Sequence, residues 1–363
     1  MKKKIIFFMP SFEGGGVEKN ITLIVNYFVK KNPSISLITS SKSIKKKFSK
    51  KVNFISPISS AWNSYGRLPK YLICIFLLFK EYKKDKNFKV FSFQGNILCI
   101  IFCKLFHIKI ATRPNSSPSG WSNNFFKKIL FSKILSWSNL IIVNSLKFKK
   151  EIKIKFNLSS ICIYNPLNTR EINTLSKNKI NFKFFEKGHI NLISIGRLVN
   201  QKDHITLLKA INHIKAKLKL KLLIIGEGDQ KINLLSYIKE NNLEKIVKIK
   251  DRLENPYPYI AKSEIMILSS KFEGLPNILL EGLALKKFII SSNCPTGPDE
   301  ILDSGKGGFL FKVGNFKDLA KKILIYEKQK RKCKKMKRFA LKRIDRFNFE
   351  KNLFNYYKIL NDL

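Results

Sequence analysis

Short apolar runs alternate with amphipathic stretches along most of the chain. Residues 4–9 read as a buried strand, Gly14-Gly15-Gly16 as a tight loop, and residues 17–29 as an amphipathic helix. Residues 35–39 form a second strand pattern, and similar runs at 90–93, 109–112 and 140–144 each lead into helix-like sequence. The rhythm breaks near Asn165-Pro166-Leu167, and a polar segment continues to about Gly188. A second series then begins: strand 190–195, helix 203–216, strand 221–225, and further strands at 247–249, 265–268, 288–291 and 308–311. From Asp318 onward the sequence is helical and strongly basic, ending in an aromatic cluster (Phe347, Phe349, Phe354, Tyr356, Tyr357). Strands alternating with helices predict parallel sheets.

Two such series, in a chain of 363 residues, predict two domains. The pattern assigns 1–170 to a first domain and 187–345 to a second. A last helix at about 346–363 is expected to pack back on the first. The expected fold class is α/β: two Rossmann-like, doubly wound domains facing each other across a cleft. With 44% hydrophobic and 12% aromatic residues, both domains can bury an interior.

Charge adds a constraint. The formal net charge is +45, and nine of the 70 basic residues are arginine. Lysine, asparagine, isoleucine and phenylalanine are abundant together, as an AT-rich coding sequence would produce, and this accounts for part of the excess. It does not account for only 25 acidic residues, so an anionic partner is expected: membrane lipid, phosphorylated substrate or nucleic acid. The six cysteines show no CxxC pair and read as buried thiols of a reducing compartment. The opening MKKKIIFFMP has too short an apolar run for a signal peptide, and the longest apolar runs, 71–79 and 97–106, fall short of a membrane span.

Candidate chemistry concentrates in residues 266–282, MILSSKFEGLPNILLEG. An apolar strand ends in small polar residues, and a helix is predicted to start at Pro276, leaving the N–H groups of Asn277, Ile278 and Leu279 for a phosphate. Glu273 lies in the loop before that helix and Glu281 about a turn and a half inside it. Alone, the segment also reads as an ordinary strand-turn-helix with two surface glutamates. Gly196-Arg197 and Lys202 follow the first strand of the second series, where open α/β sheets bind ligands and where a guanidinium fork and an ammonium suit a diphosphate. Gly226-Glu227-Gly228 is a bare GxG, and no loop has the GK[ST] ending of a P-loop.

In the first series, Gly15 and Gly16 open a helix as a dinucleotide loop would. The second strand, however, ends Thr39-Ser40-Ser41 with no carboxylate for a ribose, which argues against a nicotinamide cofactor. Arg113 ends another strand and is a candidate on the acceptor side. His107, His189, His204 and His213 form no cluster, and His204 and His213 read as ordinary core or surface residues. Residues 121–137 (WSNNFFKKILFSKILSW) interleave lysines with apolar residues at helical spacing. They fit a helix at an anionic membrane interface, a core helix with a lysine-rich solvated face, or a stacking surface for single-stranded nucleic acid.

Taken together, these segments resemble retaining glycosyltransferase family 4, the group 1 glycosyltransferases that build glycans and polysaccharides on a GT-B fold. The resemblance rests on Gly196-Arg197-Leu198 with Gln201-Lys202-Asp203, on LLIIGEG, on NPYPYIAKSEIMILSSKFEGLPNILLEGLA and on Asp299-Glu300-Ile301. It covers about residues 190–315 closely and the glycine loop at 14–16 with Val143-Asn144-Ser145 more loosely. It implies that Arg197 and Lys202 neutralise the donor diphosphate, that Glu273 contacts the donor sugar, and that the amides around Gly274-Leu275 and Asn277-Ile278 hold phosphate. Glu281 would hold the ribose hydroxyls, with Gly16 and Gly196 beside the donor and Gly15 and Arg113 on the acceptor side. No metal and no cofactor are implied. Where many members place a histidine near the donor sugar, this chain has Arg113. The Asn293-Cys294-Pro295-Thr296-Gly297-Pro298 segment resembles members that add hexoses or N-acetylhexosamines, usually from UDP donors, to lipid-linked or polysaccharide glycans.

The resulting expectation is a metal-independent retaining transferase using a UDP-sugar and a polyprenyl-pyrophosphate-linked or polysaccharide acceptor. It is expected in the cytoplasm, peripheral at the inner face of the cytoplasmic membrane, without a specific nucleic-acid partner. The rival readings are a soluble transferase or phosphorylase acting on free sugars, and a non-catalytic nucleic-acid-binding protein.

Overall fold

The computed structural model describes residues 3–12, 14–115 and 125–363. The chain divides into two compact units, Met1–Pro166 with Phe349–Leu363, and Leu167–Asn348.

The first unit contains strands β1 (Lys4–Phe8), β2 (Ile35–Ile38), β3 (Asn53–Ile55), β4 (Phe88–Ser92), β5 (Ile110–Thr112), β6 (Leu140–Val143) and β7 (Ile161–Cys162). They form a parallel sheet in the order β3-β2-β1-β4-β5-β6-β7. Its helices are α1 (Gly16–Lys31), α2 (Arg67–Lys84), α3 (Asn96–Leu105), α4 (Phe125–Leu135) and α5 (Leu146–Phe156). The second unit holds α6 (Thr169–Leu175), then β8 (Ile190–Ile195), α7 (His204–Ile214), β9 (Leu220–Ile225), α8 (Lys231–Glu240) and β10 (Val247–Lys250). It continues through α9 (Tyr257–Lys262), β11 (Ile265–Leu268), α10 (Asn277–Ala284), β12 (Phe288–Ser292), α11 (Pro298–Ile301), β13 (Phe309–Phe311), α12 (Phe316–Lys328) and α13 (Lys330–Lys342). Its sheet is also parallel, in the order β10-β9-β8-β11-β12-β13. A last helix, α14 (Phe349–Asp362), returns to the first unit.

Both sheets are covered on both faces, so their strands read as continuous apolar runs. β2, β4, β11 and β12 are buried at every residue. In the first unit, Ile5, Phe7 and Phe91 point to one face and meet α1 and α14 (Phe28, Leu353, Tyr356). Ile6, Phe8 and Val90 point to the other and meet α2, α3, α4 and α5 (Leu78, Cys99, Ile134, Phe148). This is the period-two alternation of a strand expressed in helix placement.

Two edge strands, β3 and β7, are absent from the sequence reading. They are three and two residues long, and a run that short carries no periodicity. The polar segment after Leu167 hides α6, a helix with one buried residue, Ile172, that packs on α9 and α10. The second unit therefore begins near residue 167 rather than 187. Of the predicted interfacial segment at 121–137, residues 121–124 lie outside the described residues, and α4 occupies most of the rest.

Candidate functional site

In the second unit the strand order reverses between β8 and β11, which carry the chain to opposite edges of the sheet. Open parallel sheets bind ligands at the carboxyl ends of such a pair. The loops after β8 (196–203) and β11 (269–276) lie there, and they contain most of the residues singled out from sequence.

These two loops are stitched together. Lys271 N–H donates to the Gln201 carbonyl at 2.8 Å, the Gln201 amide donates to the Phe272 carbonyl at 2.9 Å, and Ser269 Oγ donates to the Lys202 carbonyl at 2.8 Å. Across this seam Lys202 Nζ meets Glu273 Oε1 at 2.5 Å. The Ser270 hydroxyl donates to the same oxygen at 2.7 Å. Both bonds converge on Oε1, so among the described residues Oε2 is the oxygen left for a hydroxyl. Glu273 is nearly buried, and a carboxylate in that setting needs such charge-assisted partners. Arg197 stands exposed at the end of β8, and the aliphatic stem of Lys202 lies over Gly196.

The loop after β12 closes the third side. Ser292 Oγ donates to the Ser270 carbonyl and Thr296 Oγ1 to the Glu273 carbonyl, each at 2.6 Å. At Gly297 (φ +88°) a Cβ would fall 2.2 Å from the Gly274 carbonyl oxygen, so glycine is required there. Gly226, after β9, would place a Cβ 1.9 Å from the Gly196 carbonyl. Gly228 would place one 2.3 Å from that of Leu198. The GxG pair dismissed as weak evidence in the sequence is what allows the Gly196–Leu198 backbone to lie against it.

Pro276 is extended and caps α10, so the helix starts one residue later than predicted. Leu279 N–H donates to the Pro276 carbonyl at 3.1 Å, which removes it from the donors offered to an anion. Asn277 and Ile278 remain in the first turn, half-buried, next to buried Gly274 and Leu275. Glu281 lies on the buried side of α10 and accepts from the Tyr257 hydroxyl at 3.4 Å.

Two ionisable groups beside the site are kept neutral. Burial pushes the Cys294 thiol up to about 12, with the Glu273 charge adding to the effect. Burial, helped by Lys202, holds His204 down to about 3, and among the described residues its Nδ1 finds no hydrogen-bond partner. His204 is thus a buried neutral imidazole under the Lys202 loop. Ser270 and Ser292 are site residues that the sequence reading did not single out, and Gln201 and Thr296 stood in segments of the resemblance with no role given. For Ser270 the signal was the small polar run Ser269-Ser270 after a strand.

In the first unit, Gly15 caps α1 and Gly16 begins it, while Gly14 N–H donates to Glu18 in the first turn. Among the described residues a Cβ at Gly15 would meet nothing within 4 Å. Arg113 is fully buried, contrary to its reading as a cation presented to an acceptor. Its Nε donates to the Tyr356 hydroxyl of α14 at 3.0 Å. Its two terminal nitrogens donate to Asn115 Oδ1 and Asn165 Oδ1, and its guanidinium carbon lies 5.3 Å from the centroid of the Phe93 ring. Among the described residues these partners are all neutral, and their effect is to fasten α14 to the sheet.

Residues 176–343 match the family described as Glycosyl transferases group 1. The chain is 30% identical over 240 residues to the N-acetylgalactosamine-N,N'-diacetylbacillosaminyl-diphospho-undecaprenol 4-alpha-N-acetylgalactosaminyltransferase of Campylobacter jejuni, covering 64% of each chain. It is 29% identical over 224 residues to an uncharacterized glycosyltransferase of Methanocaldococcus jannaschii, covering 59% of this chain and 52% of that one. The matches thus span less than two thirds of either relative. In structure it resembles Anabaena HepE in complex with UDP, with a TM-score of 0.79 at 15% identity over 99% of this chain and 100% of that one. That likeness concerns the fold.

Proposed function

We propose that this chain, whose residues 176–343 match the group 1 glycosyltransferase family and whose parallel-sheet units resemble solved structures of the GT-B fold, moves a hexose or N-acetylhexosamine from a UDP-sugar to a lipid-linked or polysaccharide glycan. The observation that carries this reading is the Lys202–Glu273–Ser270 cluster at the β8/β11 switch point, with Arg197 on the adjoining strand end. Two cations suit a diphosphate, and a nearly buried carboxylate with one open oxygen suits a sugar hydroxyl.

In the proposed reaction the bond from the sugar anomeric carbon to the diphosphate oxygen breaks, and a bond to the acceptor hydroxyl oxygen forms. Arg197 and Lys202 stabilise the charge developing on the leaving diphosphate, so metal independence is part of the proposal. The acceptor approaches from the face the diphosphate leaves, which retains configuration, and a diphosphate oxygen takes the acceptor proton. Glu273 and Glu281 position sugar and ribose and transfer no proton. The two-carboxylate geometry of glycoside hydrolases does not apply here. The named substrate of the Campylobacter relative supports a polyprenyl-diphosphate-linked acceptor and an anionic membrane surface as its setting.

A panel of UDP-, GDP- and ADP-sugars, assayed for transfer and hydrolysis with and without EDTA, tests the proposal, with the anomeric configuration of the product read by NMR. Transfer from a UDP-sugar that survives EDTA and retains configuration is expected. Binding of no donor, together with tight salt-sensitive binding of DNA, would overturn it in favour of the nucleic-acid reading.

A further inference from the structure

One layer of the first unit is apolar on the outside as well as the inside. α2 turns Lys70, Cys74, Leu78 and Glu81 inward, where Glu81 receives Lys4 and Lys84, each at 2.7 Å. The opposite stripe, at four-residue spacing, is Leu68, Leu72 and Phe76, which are 62, 55 and 49% exposed. Leu68, Leu72 and Phe76 line a shallow groove with Trp62, Pro69 and Ile73. A helix on a solvated surface carries polar residues on that stripe. α4, on the same face of the sheet, exposes Phe126, Ile129 and Leu130, and both α2 and α4 pack against α3.

The rim of this surface is cationic. Lys80 Nζ lies 4.7 Å from the centroid of the Phe76 ring, Lys83 4.9 Å from that of Phe79 and Lys86 5.7 Å from that of Tyr82. Each ammonium sits over the face of an aromatic ring, a cation–π contact that holds the charge beside the apolar stripe. Residues 62–156 hold eighteen lysines and arginines against three acidic residues, Glu81, Asp85 and Glu151. A second copy of the chain would set lysine against lysine. The complementary surface is apolar inside and anionic at its boundary.

We propose that the α2–α3–α4 face of the first unit docks on an anionic lipid surface, with Leu68, Leu72 and Phe76 entering the acyl boundary and Lys80, Lys83 and Lys86 meeting lipid phosphates. This deepens the membrane part of the proposed function and gives the leading role to α2, whose apolar run at 71–79 the sequence analysis read only as too short to span a membrane. The contact comes from side chains that the donor site does not use.

The test is sedimentation of the full chain with vesicles of phosphatidylcholine alone and with about 30% phosphatidylglycerol. Binding to the anionic vesicles alone is expected, weakening with added salt. The Leu72→Ser/Phe76→Ser variant should bind about tenfold more weakly, and Lys80→Glu/Lys83→Glu likewise. Thermal melting checks that both variants fold, and UDP-sugar hydrolysis in vesicle-free solution should be unchanged. That last readout separates failure of docking from failure of the transferase reading. Absence of vesicle binding, equal binding to both compositions, or unchanged binding by both variants would overturn the proposal. So would a concentration-dependent dimer that the apolar double variant abolishes.

Discussion

The two units share a strand order around a central switch point and differ in how they treat it. In the second, the loops after β8, β9, β11 and β12 interlock through backbone contacts that admit no side chain at Gly226, Gly228 or Gly297. In the first, a Cβ at the glycine of the corresponding helix start, Gly15, would meet nothing within 4 Å among the described residues, and Arg113 at the end of β5 is buried. Their outer surfaces differ as well. Among the described residues, fourteen of the sixteen exposed large hydrophobics belong to the first unit, and only Ile232 and Leu235 to the second. Charge separates the units less: basic residues outnumber acidic ones 32 to 7 in the first and 38 to 18 in the second. One doubly wound topology thus supports interlocked loops at the strand ends of one unit and an apolar, lysine-edged surface on the other.

The largest effect expected from breaking this contrast lies in the second unit. Lys202→Ala should lower the rate of transfer by about 10² to 10³, the usual loss on removing a group that stabilises charge in the transition state. Its melting temperature should fall as well, because nearly buried Glu273 loses its cationic partner. Normal turnover would separate the Lys202–Glu273 pair from the chemistry.

Next come the glycines. Gly226→Ala forces a Cβ to within 1.9 Å of a carbonyl oxygen, and should cost several kcal/mol or prevent folding. Gly15→Ala meets nothing and has an extended backbone (φ −170°), so it should stay within about 0.5 kcal/mol of the parent. Equal melting points for the two would erase the distinction between the loops.

Acid should separate the units too. His204 has its folded-state value lowered to about 3 from an ordinary 6.5, so below about 6.5 the unfolded chain takes up a proton that the native unit refuses. The stability of the second unit should fall as pH drops from 6.5 toward 3, by on the order of 4 kcal/mol in total. His204→Leu should flatten that part of the profile. An unchanged slope in urea titrations would show that the histidine is not its source.

In the first unit, Tyr356→Phe strands a buried N–H of Arg113 and should cost about 1–3 kcal/mol in thermal melting, without changing donor hydrolysis. Loss of transfer at unchanged stability would instead return Arg113 to the acceptor role read from sequence. The smallest effect is at the outer stripe: Leu72→Ser should leave stability within about 0.5 kcal/mol. Leu78→Ser, one and a half turns along the same helix and fully buried, should cost about 3 kcal/mol or more.

How much of this was legible depends on the range of the interaction. The long apolar strands and the helices around them were readable because burial on both faces leaves an uninterrupted hydrophobic run. β3, β7 and α6 were not, because two or three residues at an edge, or a helix with one inward residue, leave no period to find. In the site, Arg197, Lys202, Glu273 and Glu281 were legible as charged residues at strand ends and a helix start. The roles of Ser270, Ser292 and Thr296 were not, since serines and threonines are common and gain meaning only when a hydroxyl finds a particular oxygen.

The sequence by itself determined the two α/β series, the order of cations and carboxylates in the second, and the strong positive charge. All three are properties of neighbours along the chain. Tertiary structure decided that Gly226 and Gly228 support the Arg197 loop, that Lys202 pairs with Glu273 across 71 residues, that Arg113 is internal and that Leu68, Leu72 and Phe76 face outward. Each of these depends on which segments meet in space. A glycine, an arginine or a leucine does not carry that information in its own neighbourhood.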